Sequence, residues 1–91
     1  MTAPTTGAIG PAALAALLDQ AETSQVEAAT LCRVDDRTMR RWLADPAAPS
    51  ARAMPPPAAA ALAMSLLLLG RVRPADVAGW LPEAVRERLQ A

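Results

Sequence analysis

The chain has 91 residues, enough for one small domain, and its nine basic residues, all Arg, balance nine acidic ones for a net charge of zero. The absence of His excludes a His-dependent catalytic base, triad or metal centre, and a single cysteine, Cys32, excludes a disulfide framework. Hydrophobic residues make up 53% of the chain, yet Phe and Tyr are missing and much of that fraction is Ala. A core must therefore come from Leu, Met, Val, Trp42 and Trp80. Ala and Leu favour helices, and no alternating β-branched run is long enough for a strand. The expected fold is all-α, a compact bundle of five to six short helices.

Residues 1–10 are Thr-, Pro- and Gly-containing and read as a flexible arm. Pro11 suits a first helical turn, and Leu14, Leu17 and Leu18 supply a buried stripe that ends near Gln20 or Ala21. Thr23 or Ser24 then caps a second helix, with Glu27 three residues beyond Ser24 as in a capping box. Ala28, Ala29 and Cys32 form its buried stripe. Arg33 to Asp35 make a turn, and Asp35 caps a third helix, Asp36 to Leu43. On that helix Met39, Trp42 and Leu43 share one face at i, i+3, i+4, while Arg37, Arg40 and Arg41 occupy the other. Asp35 and Asp36 are the only adjacent carboxylates, and a helix start makes them caps before it makes them acid–base groups.

Prolines at 46, 49, 55, 56 and 57 break the segment 44–57 into an extended connector that crosses the surface and exposes Arg52. Pro57 can open a fourth helix and Gly70 can close it. Its apolar residues run nearly all round, so it should be the central helix, with a leucine surplus at Leu66 to Leu69. The run is too short for a bilayer, which needs about 20 apolar residues. Pro74 starts a short helix with Val77, Trp80 and Leu81, and Pro82 restarts the chain toward Val85 and Leu89. The segment 72–89 reads as a helical hairpin, packed on the central helix or across a dimer axis.

The pattern Ser24–Gln25, the small Ala29, the aliphatic Val34 after the turn, and Met39 with Trp42 in the next helix resembles the helix-turn-helix of the Cro and lambda-repressor (XRE) regulators. With the run DRTMRRW at 36–42, the Pro-rich connector and the following helix, it is similar to the small repressors that accompany anti-CRISPR genes. The resemblance covers roughly residues 14–69. It differs at Arg33, where the family usually has a positive-φ Gly, and at Val26 and Glu27, where that subfamily carries basic residues. It divides the chain into an arm (1–10), a helix-turn-helix domain (11–70) with its motif at 25–43, and a helical extension (71–91).

The resemblance implies a dimeric, sequence-specific DNA-binding regulator of phage or mobile-element origin, cytoplasmic and without a cofactor. Asp36, Arg37 and Arg41 would reach base edges, Arg40 and Thr38 would meet phosphates, and Ser24 and Gln25 would donate to a phosphate at the preceding helix start. Arg37 and Arg41 can each grip a guanine, and Asp36 can accept from cytosine or orient Arg37 or Arg40. The partners are then a palindromic double-stranded operator and a second copy, bound through 58–69 and 72–89. Two other readings stay open: an adaptor that docks on RNA polymerase or another regulator, and the N-terminal part of a longer regulator.

Overall fold

The computed structural model describes residues 9–45, 47–48 and 52–90, with the side chains of Leu89 and Gln90 excepted. Six α-helices run through them: α1 (Pro11–Gln20), α2 (Gln25–Cys32), α3 (Asp36–Leu43), α4 (Pro56–Leu68), α5 (Pro74–Val77) and α6 (Glu83–Gln90). A 3₁₀ turn, Ala78–Trp80, joins the last two. No strand forms among the described residues, and the Cα radius of gyration is 12.6 Å, near the value of about 12 Å for a compact chain of this length.

Local chemistry sets the helix starts. Pro11 enters α1 at its first turn, where its missing N–H costs nothing. The Ser24 hydroxyl accepts the Glu27 N–H at 3.1 Å, and the Asp35 carboxylate accepts the Thr38 N–H at 2.7 Å. Only the Ser24 half of the expected capping box fits, because the Glu27 carboxylate is drawn to Arg71 at 2.8 Å.

Three helices end alike. After α1, Glu22 takes a left-handed φ of 52° while Thr23 N–H reaches Leu18 O and Glu22 N–H reaches Asp19 O. After α2, Arg33 takes φ 59°, with Val34 N–H on Ala29 O and Arg33 N–H on Thr30 O. After α4, Gly70 takes φ 73°, with Arg71 N–H on Leu66 O and Gly70 N–H on Leu67 O. Each pair of bonds is a Schellman closure that satisfies two terminal carbonyls.

The core collects Leu14, Leu17 and Leu18 from α1, Ala28 and Ala29 from α2, Met39 and Trp42 from α3, and Leu62, Ala63 and Leu66 from α4. α2 packs on both α3 and α4, and α1 packs on α3. Alanines at the α2–α4 contact let the backbones approach, to the point that Cys32 Sγ lies 3.8 Å from Ala58 O. Val72, Val77 and Leu81 close the far side, where the 3₁₀ turn contacts α4. Of the segment read as a hairpin, the 3₁₀ turn is the part seen against α4, with Val77 and Leu81 buried in the core. The side chain of Leu89, assigned to the same apolar face, lies outside the described ones.

Two boundaries differ from expectation. Ile9, read as part of the arm, is buried, and its N–H and C=O bond Met54 in an isolated antiparallel bridge at 3.0 and 3.1 Å. Gly10 is the N-cap of α1, and residues 1–8 of that arm lie outside the described residues. Met54, read as surface connector, is fully buried through the same pairing. The connector also ends sooner, since α4 starts at Pro56 with Pro57 inside its first turn, where two prolines are tolerated.

Candidate nucleic-acid interface

α3 is two-faced in space as in sequence. Met39 is fully buried and Trp42 nearly so, which fixes the helix against the core and turns Arg37, Arg40 and Arg41 outward. The start of α2 lies beside this face. Gln25 Nε2 donates to Asp36 Oδ1 at 3.1 Å, and Arg40 Nη2 donates to Asp36 Oδ2 at 3.2 Å. Asp36 is therefore held at both carboxylate oxygens, one from each side, and bridges α2 to the arginine face. Of the two arginines it was expected to orient, it engages Arg40.

Arg37 and Arg41 are exposed, and neither guanidinium has a hydrogen-bond or ion-pair partner among the described residues. With Gln25, Arg40, Leu43 and Ala44 they line an open depression of about 450 Å³. Ser24 and Thr38 stand apart from that depression and serve the helix starts. Hydrogen bonds from the Thr38 side chain and backbone N–H hold the Asp35 carboxyl below its usual range, with Arg37 and Arg41 adding to the effect. Asp35 therefore stays ionised and keeps its cap at neutral pH.

Two arginines outside α3 shape the same region. The backbone N–H of Arg52 donates to Arg41 O at 3.2 Å, so the connector returns to the end of α3 and sets an exposed cation there. Arg71 does a different job. Its Nη2 bonds Glu27 Oε2 at 2.8 Å and its Nη1 donates to Thr23 Oγ1 at 3.0 Å, while the Thr23 hydroxyl donates a hydrogen bond to Ala21 O at 3.1 Å. This ties the start of α2, and hence Ser24 and Gln25, to the segment after α4. Nothing local in the sequence marks that tie, because its members are far apart along the chain.

Cys32 is half-buried, and burial pushes its thiol pKa up to about 11, so the sulfur is protonated and a poor nucleophile at neutral pH. Among the described residues no group of three His, Cys, Asp or Glu could hold a metal ion. No described helix is long and apolar enough to cross a membrane. No family model matches the chain, and neither a curated protein nor a solved structure shows significant similarity to it.

Proposed function

We propose that this protein is a sequence-specific DNA-binding transcriptional regulator whose α2 and α3 act as a helix-turn-helix, with α3 in the major groove. The observation that carries the reading is the convergence of Gln25, Arg37, Arg40 and Arg41 on one open depression, on a helix whose opposite face is core. Guanidinium groups are suited to phosphate oxygens and to the acceptor edge of guanine, and a rigidly seated helix presents them in register. Ser24 and Gln25, at the positive end of α2, would meet a phosphate of the operator. Dimerisation on a palindromic operator completes the reading, along with the phage or mobile-element origin that the resemblance implies. The adaptor reading would favour an apolar outward face on α3, and this face is cationic.

The test is fluorescence anisotropy of labelled duplexes, one from the gene's own upstream region and one scrambled, at about 50 and 200 mM salt. Affinity should fall as salt rises from the lower to the higher concentration, because arginine contacts to phosphate release counterions. Arg37→Ala should narrow the difference in affinity between the two duplexes while keeping its helical circular dichroism. Binding that ignores both salt and sequence would replace this reading with the adaptor.

A further inference from the structure

We propose that the interface selects two guanines about two base-pair steps apart, one held by Arg37 and the other by Arg41, with Asp36 acting as a positioning residue and reading no base. This rests on the DNA-binding reading above and adds the chemistry of the site it takes.

The argument starts from which groups are available. Three side chains along α3 could carry a base code: Asp36 and Arg37 in its first turn and Arg41 in its last. Asp36 is committed, with Gln25 on Oδ1 at 3.1 Å and Arg40 on Oδ2 at 3.2 Å. A cytosine amino group would have to displace one of these donors, and breaking the Gln25 bond would expose a partly buried amide. Arg37 and Arg41 have no such commitments among the described residues. Both are donor-only forks. In the major groove only guanine offers two adjacent acceptors, O6 and N7. Adenine sets its N6 donor beside N7, cytosine presents a donor, and thymine gives one acceptor beside a methyl group. A fork with nothing but donors therefore discriminates for guanine at each position.

Helix geometry then sets the spacing. Residues four apart lie about 6 Å apart along the axis and close to the same face. Base pairs rise about 3.4 Å each, so the two guanidinium groups span about two steps. Either strand serves, because O6 and N7 open to the groove from both. Asp36 contributes by holding Arg40 to the side. Removing its carboxylate should release Arg40 toward phosphate without altering which bases are preferred.

The experiment enriches a library of duplexes, randomised over the central positions, on the purified full chain and sequences the bound pool. Paired guanines about two steps apart are expected. Replacing either one with 7-deazaguanine, which lacks the N7 acceptor, should weaken anisotropy-measured binding roughly tenfold. Arg37→Ala should abolish that penalty at one guanine and Arg41→Ala at the other. Asp36→Ala should leave the enriched sequence unchanged and steepen the salt dependence by about one phosphate contact. Enrichment of sequences without paired guanines, indifference to 7-deazaguanine, or a base preference lost in Asp36→Ala would each overturn the inference while leaving DNA recognition standing. Absence of enrichment at low salt would overturn both.

Discussion

Among the arginines, Arg71 works for the fold while Arg37 and Arg41 stand exposed on α3, and the difference lies in their surroundings. Arg71 meets a carboxylate and a hydroxyl that the chain itself supplies, at 2.8 and 3.0 Å. Its bond to Glu27 holds the Glu27 carboxyl below the usual range, and the Thr38 bonds do the same for Asp35. Folded-state values below the ordinary ones mean that the unfolded chain binds more protons. The stabilisation is complete above the ordinary carboxylate range, near pH 4, and is lost as pH falls through the lowered values. Thermal midpoints should therefore drop between about pH 5 and pH 3. Glu27→Gln removes one of the responsible groups, so its midpoint should be lower at neutral pH and fall less on acidification. Parallel curves for the variant and the parent would show that the Glu27–Arg71 pair contributes nothing.

The helices themselves depend on a repeated device at their C-termini. Glu22, Arg33 and Gly70 occupy the same left-handed position in three Schellman closures, yet only Gly70 is free of the Cβ conflict. A non-Gly residue there costs about 1–2 kcal/mol, partly offset because Gly also loosens the unfolded chain. Arg33→Gly should thus stabilise the fold by about 0.5–1 kcal/mol in urea unfolding. Gly70→Ala should cost about 1 kcal/mol from backbone strain alone, since no atom lies within 4 Å of the added Cβ. Equal stabilities across this pair of variants would dismiss the strain argument. The same closures show what was legible beforehand. Caps at Ser24 and Asp35 and the stripes through Leu14, Met39 and Trp42 act within one or two turns, so spacing alone locates α1 to α3. Glu22 carries no such local sign, because a left-handed Glu is chosen by the bonds around it. The Ile9–Met54 bridge and the Arg71–Glu27–Thr23 tie also form between distant segments, where periodicity is silent. Of the candidate site, the arginine face follows from helical spacing. The two-sided clamp on Asp36 needed the angle between α2 and α3.

At the scale of the whole molecule, a net charge of zero provides little general attraction to a polyanion, and under the proposed DNA-binding reading one copy would make only a few phosphate contacts. Doubling the contact set is the direct remedy, and the surface beyond α4 is suited to it. Leu68 is 89% exposed, Leu69 52% and Met64 37%, a cluster of large apolar side chains that water would otherwise surround. The principal dimensions are 41 × 30 × 20 Å. Two such bodies side by side can set equivalent helices about 34 Å apart, one turn of DNA. Sedimentation at tens of micromolar should then show a dimer. Leu68→Glu, which alters no buried contact, should shift it to monomer and weaken binding to a two-half-site duplex by on the order of a hundredfold or more. Affinity for a single half-site should stay the same, because Arg37, Arg40 and Arg41 lie on a different helix. A wild-type monomer that binds the palindrome no better than the half-site would assign the leucines to another partner.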